Sequence, residues 1–178
     1  LILASKSRGL LHIMALLNST GVKNISFSVL FDGTRDPLNG EEMSKTAAKD
    51  RNDKRLAEFN APDNARGEKM RILVADADKY SEGVTFENVR ELILAGVPET
   101  HGMLQQRLGR ILRMCKHDIL PEDERNVQAY VFVTAAKTLK TVDMLMYDQL
   151  MKQKASMDAA ADKLAVQAFD RDYLSQYL

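Results

Sequence analysis

Residues 71–95 read RILVADADKYSEGVTFENVRELILA, and this stretch decides the fold class. It holds two short apolar runs, at residues 71–75 and 92–95, on either side of a polar segment that contains several acidic residues. Strands that are apolar along their whole length are buried on both faces, which is typical of a parallel sheet covered by helices. The stretch therefore predicts two strands of an α/β sheet joined by a polar loop.

Three further apolar runs extend this pattern over most of the chain, and we expect each to form a buried strand. They occupy residues 1–4, 25–31 and 127–134. Segments with the period of a helix lie between the strands, at residues 8–17, 47–59 and 102–114. Alternating strands and helices predict an α/β domain over residues 1–136, with a mostly parallel sheet covered on both faces.

The pattern changes at Lys137, beyond which strand signals and prolines are absent from the sequence. Apolar residues then recur at spacings of three and four, as in an amphipathic helix. They are Leu139, Val142, Met146, Leu150, Met157, Ala161, Leu164 and Ala168. We expect residues 137–178 to form a helical tail that packs on the first domain, with recruitment of a partner helix as the alternative.

Composition excludes several classes of protein. The 178 residues contain 25 Lys and Arg against 25 Asp and Glu, so any phosphate-binding surface must be local. One cysteine excludes a disulfide framework and a cysteine-rich zinc site, and we expect no metal site. No apolar run approaches the roughly 20 residues that span a bilayer. We expect a soluble intracellular protein without a membrane partner, and a piece of a longer chain because Met is absent at position 1.

A second decisive stretch, residues 105–117, reads QQRLGRILRMCKH. In a helix, Gln106, Arg110 and Arg113 fall within about 60° of one another. The opposite face carries Leu104, Leu108, Ile111 and Cys115. Gly109 lies beside the polar face, where a missing side chain lets a backbone or a phosphate approach closely. Two guanidinium groups on one face suit stabilisation of a transferring γ-phosphoryl group, and a solvated arginine face with acidic partners is the alternative.

The spacing Gln-x-x-Gly-Arg-x-x-Arg resembles motif VI of superfamily 2 helicases and translocases. Residues 81–86, Ser-Glu-Gly-Val-Thr-Phe, resemble motif V. Their form is similar to that in the nucleoside triphosphate phosphohydrolase family of poxviruses and other large DNA viruses. Residues 113–134 and parts of the tail resemble the same family.

The resemblance implies two RecA-like domains with ATP and Mg²⁺ in the cleft between them. This sequence matches only the C-terminal one, because it contains neither a Gly-x-x-x-x-Gly-Lys-(Ser/Thr) loop nor an Asp-Glu-x-His-like magnesium motif. ATP with Mg²⁺ would be bound mainly by the N-terminal RecA-like domain of the same protein. The chain alone should therefore not hydrolyse ATP.

The resemblance also assigns roles to single residues on the nucleotide side. Arg110 and Arg113 would act across the cleft on the γ-phosphate, and Gln106 would position the nucleotide or couple it to motif V. The residues that would line the nucleotide are Gly83, Thr85 and Gly109. Thr85 stands where many relatives carry Asp, which weakens the case for a ribose contact.

Residues that follow the predicted strands would hold nucleic acid, because open α/β sheets bind ligands at the carboxyl ends of their strands. These candidates are Ser5, Lys6, Arg8, Gly33, Thr34 and Ser81. They match motifs IV, IVa and V loosely, and those motifs grip a sugar-phosphate backbone without reading bases. Ordinary caps, turns and solvated side chains are the alternatives.

The sequence therefore predicts the C-terminal half of an ATP-dependent helicase or translocase that acts on DNA or RNA in viral transcription. RNA polymerase or other transcription factors are further expected partners. One alternative is a helicase-like scaffold that is not catalytic, and another is a Swi/Snf-type translocase that moves duplex without unwinding it.

Overall fold

A computed structural model describes residues 1–5, 9–19, 25–80, 83–113 and 116–167. Its strands form one five-stranded sheet with the order β2-β3-β1-β4-β5, and all neighbouring strands are parallel. They are β1 (Ile2–Ala4), β2 (Phe27–Leu30), β3 (Ile72–Asp76), β4 (Glu91–Leu94) and β5 (Gln128–Val131). The predicted α/β class with a parallel sheet is confirmed.

Helices lie between these strands and after the last one. They are α1 (Leu10–Ser19), α2 (Lys45–Phe59), α3 (Ala77–Tyr80), α4 (His101–Leu108) and α5 (Val142–Gln167). Two short 3₁₀ turns lie at Pro62–Asn64 and Glu122–Glu124. The hydroxyls of Ser44 and Thr100 cap α2 and α4 by accepting hydrogen bonds from backbone N–H groups three residues on, which explains where both helices begin.

The core is divided between the two faces of the sheet by the alternation of side chains along each strand. In β3, Leu73 and Ala75 point into the apolar cluster that includes residues of α2 and α4, whereas Val74 points into the cluster around α1. The result is three layers, with the sheet between α1 on one face and α2 with α4 on the other. This is a RecA-like arrangement with a C-terminal helix.

The last strand differs from the prediction. We expected residues 127–134 to be a buried strand, but β5 is an exposed edge, where Tyr130 is 39% exposed and the following Phe132 is 59% exposed. Among the described residues, the apolar cluster around α1 contains none from β5, which accounts for the exposure of these side chains. Apolar composition alone did not reveal this, because edge and central strands share it.

Helix α5 contacts the domain near its middle. Leu150 is completely buried, and the backbone N–H of His101 donates to Oε1 of Gln153 at 3.0 Å. Other members of the predicted packing stripe are exposed: Leu139, Val142, Met157 and Leu164. Ala168 lies outside the described residues. The described helices include none long and apolar enough to cross a membrane.

The loop between β2 and α2 is organised by a buried carboxylate that sequence analysis missed. Oδ2 of Asp36 lies 2.7 Å from a guanidinium nitrogen of Arg55 and 3.5 Å from one of Arg51. Oδ1 accepts the Leu38 N–H at 2.8 Å. Burial raises the pKa of the Asp36 carboxyl, but the Leu38 N–H and the two arginines outweigh it and hold that pKa below its usual 3.8.

Replacing this carboxylate should destabilise the domain in a pH-dependent way. We expect Asp36→Asn to lower the free energy of unfolding at pH 7 by about 2 kcal/mol, because two partly buried guanidinium groups lose their counter-charge. The folded-state pKa is lowered, so this contribution is complete above about pH 5 and is lost as the pH falls through the folded-state value. Urea unfolding of both proteins from pH 7 down to pH 3 measures the difference.

The control for this measurement is Asp50→Asn on the exposed face of α2, which should change the free energy of unfolding by less than about 0.5 kcal/mol. Equal stability of wild type and Asp36→Asn at pH 7 would contradict the role assigned to Asp36.

Candidate nucleotide and nucleic-acid site

Helix α4 ends earlier than predicted, and this changes how the two candidate arginines are presented. The predicted helix spanned residues 102–114, but α4 ends at Leu108 with Gly109 as its C-cap. The chain then continues in tight turns. In the first of them, the N–H of Arg110 donates a hydrogen bond to the carbonyl of Arg107. The expectation that Gln106, Arg110 and Arg113 share one helical face is therefore wrong, because both arginines follow the end of the helix. Gly109 is also not mid-helix.

Contacts with the rest of the domain orient Arg113 instead. One terminal nitrogen of its guanidinium donates to Oγ1 of Thr85 at 2.8 Å, and its Nε donates to the carbonyl oxygen of Gly109 at 3.2 Å. Three predicted residues, Thr85, Gly109 and Arg113, are therefore brought together. Gln106 is exposed in the last turn of α4, and Arg110 is half-buried.

The backbone after β3 lies alongside the backbone that carries the arginines. The N–H of Phe86 donates to the carbonyl of Arg110 at 3.5 Å, and the N–H of Asn88 donates to the carbonyl of Lys116 at 3.1 Å. The side chains of Lys116 and Glu87 form an ion pair at 2.8 Å. We call residues 85–88, together with Gly109, Arg110, Arg113 and Lys116, the V–VI contact.

Aromatic packing fixes the V–VI contact to the core. Phe86 is completely buried, and its ring meets that of Phe59 edge to face, with 6.5 Å between the ring centroids. Phe59 is the last residue of α2. The next residue, Asn60, donates from Nδ2 to the carbonyl of Thr85 and accepts the N–H of Glu87 at Oδ1, both at 2.9 Å. The end of α2 therefore holds this segment.

Gly83 lies just before the V–VI contact and has a conformation that favours glycine. Its φ is +72°, which is in the left-handed region. A Cβ atom built on it would meet no atom within 4 Å, so the requirement is conformational and not steric. Its place on the nucleotide side of a cleft stays a prediction.

The candidates for nucleic acid lie at the carboxyl edge of the sheet. Ser5 follows β1, and Gly33 and Thr34 follow β2. Lys79 in α3 forms an ion pair with Asp32 at 3.0 Å, which joins the segments after β2 and β3. Because β2, β3 and β1 are neighbours in a parallel sheet, these segments share one edge. Three further candidates, Lys6, Arg8 and Ser81, lie outside the described residues.

Gly33 is required by packing. Its Cβ, if present, would lie 2.3 Å from Cε1 of Phe31, a distance that no side chain tolerates without displacing the ring. Thr34 is exposed, and its carbonyl accepts the N–H of Met43 at 2.7 Å. The structure thus gives both residues a role in the loop itself, and their contact with nucleic acid stays a prediction.

A small cavity of about 120 Å³ opens at the same edge. Its lining includes Ser5, Asp78, Gly96, Glu99 and Arg107. Arg107 is only 7% exposed and was missed by sequence analysis. The burial of Arg107 could have been predicted from the sequence. Arg107 lies three residues after Leu104 and four before Ile111, which is the spacing of residues on the buried face of a helix. In the described part of the chain, no three His, Cys, Asp or Glu residues are placed to hold a metal ion.

The chain is similar to several viral proteins, although no family model matches it. It is 27% identical over 130 residues to "Nucleoside triphosphatase I" of Choristoneura biennis entomopoxvirus, covering 73% of this chain and 20% of that protein. It is 32% identical over 117 residues to "Early transcription factor large subunit homolog" of African swine fever virus, covering 64% of this chain and 10% of that protein.

The "Nucleoside triphosphatase I" of Melanoplus sanguinipes entomopoxvirus is 30% identical over 96 residues, which cover 54% of this chain and 14% of that protein. The chain thus spans a fifth or less of the length of these curated relatives. It is homologous to viral proteins with these two names, and their whole-protein activities are not shown for it.

Substitution of two glycines near the site should have opposite effects on stability. We expect Gly83→Ala to lower the free energy of unfolding by about 1 kcal/mol, because alanine is strained at positive φ. Gly102→Ala, in the first turn of α4, should raise it by up to about 1 kcal/mol, because alanine favours helix and its Cβ meets only the Thr100 hydroxyl, at 3.8 Å. Thermal unfolding of the two variants tests the pair, and a shift of the same sign in both would contradict the conformational assignment.

Proposed function

We propose that this chain is the C-terminal RecA-like half of an ATP-dependent nucleic-acid helicase or translocase that works in viral transcription. The observation that carries the proposal is the hydrogen bond between Arg113 and Thr85. These residues belong to two motifs that were recognised separately in the sequence, 28 residues apart. A coupled motor needs the two motifs in contact, and the V–VI contact supplies it.

The residues on the nucleotide side suit an anionic phosphate. A guanidinium has five N–H donors, and the bonds to Thr85 and Gly109 orient that of Arg113. In the closed enzyme, Arg113 and Arg110 would donate to the γ-phosphate of ATP and stabilise the negative charge that develops on it. The Gln106 amide would help to position the nucleotide. Mg²⁺, held by the N-terminal domain, would neutralise further phosphate charge.

The carboxyl edge of the sheet would hold the nucleic acid. Ser5, Gly33 and Thr34, with Lys6, Arg8 and Ser81, would contact the sugar-phosphate backbone and leave the bases unread. Acidic residues lie at the same edge, including Asp32. Affinity would therefore come from local hydrogen bonds more than from a positive field, and its salt dependence would be shallow.

The similarity to the two kinds of viral protein supports the remaining parts of the proposal. The name nucleoside triphosphatase I supports nucleotide hydrolysis by the complete protein. The name early transcription factor large subunit supports a role in transcription. The partners we propose are the N-terminal RecA-like domain, DNA or RNA, and RNA polymerase or other transcription proteins.

The arginine assignment predicts a large loss of turnover. In the full-length protein, Arg113→Ala and Arg110→Ala should each lower the ATPase rate by about 10³-fold, whereas nucleotide binding survives. Steady-state hydrolysis and binding of a fluorescent ATP analogue measure the two quantities separately. Arg71→Ala is the matched control, because Arg71 is exposed at the amino end of β3, where it should leave the rate unchanged. Near-normal turnover in both finger variants would defeat the assignment.

The nucleic-acid track can be identified in the same assay. We expect ATP hydrolysis by the full-length protein to be stimulated by single-stranded DNA, single-stranded RNA or duplex. Strand separation then distinguishes a helicase from a duplex translocase. Absence of hydrolysis with every track, in a folded protein, would favour the scaffold alternative.

A further inference from the structure

Asn60 lies outside both motifs in the sequence, yet its side chain forms two hydrogen bonds with the motif V segment. It caps the carboxyl end of α2, and its amide bonds with residues 25 and 27 positions further along the chain. Nδ2 donates to the carbonyl of Thr85 and Oδ1 accepts the N–H of Glu87. One side chain therefore binds the backbone on both sides of Phe86.

A contact of this kind fixes orientation as well as position. The donor and acceptor of a primary amide lie in one plane, so the two bonds define how the peptide groups of residues 85–87 are turned. A single hydrogen bond would leave rotation about its axis open. The direction in which the Thr85 side chain leaves the backbone is therefore set by Asn60.

Thr85 passes this orientation to Arg113. Its Oγ1 accepts from one terminal nitrogen of the guanidinium, and the carbonyl of Gly109 accepts from Nε. A guanidinium is planar and rigid, so two acceptors at different nitrogens determine the direction of its plane. Thr85 is the only one of the two acceptors that is a side chain, and it can therefore be removed without altering the main chain.

We propose that Asn60 is a positioning residue for nucleotide hydrolysis: it fixes the backbone that carries Thr85, and Thr85 orients the Arg113 guanidinium toward the phosphate. The inference rests on the proposed function, since it gives Arg113 the role of an arginine finger. Asn60 itself does not touch the nucleotide.

Other contacts keep the segment folded, which separates positioning from stability. Phe86 is buried against Phe59, and Glu87 pairs with Lys116. These contacts do not involve the Asn60 side chain. Loss of the Asn60 amide should therefore turn Thr85 away from Arg113 while the segment stays in place.

The test is a double-mutant cycle in the full-length protein. Asn60→Asp keeps an acceptor for the Glu87 N–H, but it replaces the donor to the Thr85 carbonyl with a carboxylate oxygen, which repels that carbonyl. Thr85→Val removes the hydroxyl that accepts from Arg113, at nearly constant side-chain volume. We expect each variant to lower kcat about 10-fold, with the KM for ATP changed less than about 3-fold. Because both act through the same arginine, the double variant should lose about 10- to 20-fold and not the product of about 100-fold.

Two further variants sharpen the cycle. Thr85→Ser keeps the hydroxyl and should retain kcat within about 3-fold of wild type. Asn60→Ala removes the amide without adding charge, and it replaces Asn60→Asp in the cycle if that protein does not fold.

Asn64→Asp is the matched control for a merely structural asparagine. Asn64 also bridges backbone groups, donating to the Phe59 carbonyl at 2.9 Å and accepting the Met70 N–H at 2.8 Å, and neither of these partners belongs to the V–VI contact. It should lower the thermal midpoint and leave kcat of the folded protein within about 2-fold.

Each result has a separate meaning. An unchanged kcat in both Asn60 variants, or losses that multiply in the double variant, would overturn the positioning role while the loss in Arg113→Ala still supported the proposed function. Normal turnover in Arg113→Ala would instead remove the arginine finger on which both depend.

Discussion

The candidate site depends on how the backbone between β3 and β4 satisfies its hydrogen bonds. Residues 83–90 belong to no helix or strand, yet Phe86 and Val89 are buried. Buried N–H and carbonyl groups need partners, and an irregular segment cannot supply them to itself. The partners are the carbonyls of Arg110 and Lys116 and the side chain of Asn60. Meeting this requirement is what brings the two halves of the V–VI contact together.

The same requirement explains why the arginines are presented from turns. A helix that continued to residue 114 would use the carbonyl of Arg110 for its own ladder, with an N–H four residues on as donor. Because α4 ends at Leu108, the Arg110 carbonyl is available to the Phe86 N–H. Gly109 itself has a right-handed conformation that any residue can adopt, and a Cβ atom built on it would lie 3.2 Å from the carbonyl oxygen of Gln105.

The sequence predicted most strands of the sheet correctly, but it did not predict the side-chain contacts between segments that are distant in sequence. Strands β1 to β4 were identified because burial on both faces leaves an apolar run that is visible locally. The exposure of β5 was missed because it depends on which helices cover the sheet. The hydrogen bonds of the Asn60 side chain and the ion pair between Asp36 and Arg55 join residues that are 19 to 27 positions apart in the sequence. No local sequence pattern predicts such contacts. Motif spacing singled out Arg113 and Thr85 as candidates, but it did not predict the hydrogen bond between them.

Because Arg113 lies beyond the end of α4, its direction can respond to its neighbours in a motor of this kind. An arginine fixed on a helix keeps its direction when domains move, whereas Arg113 takes its direction from Thr85 and Gly109. Thr85 is part of the same polar segment that begins at the carboxyl end of β3, beside the proposed nucleic-acid edge. In the proposed function, a change in the phosphates that Arg113 contacts would alter its bond with Thr85. That change would reach the edge proposed to grip the strand through the ten residues from Asp76 to Thr85. In the proposed function, coupling then needs no long pathway across the domain, because one segment would touch both ligands.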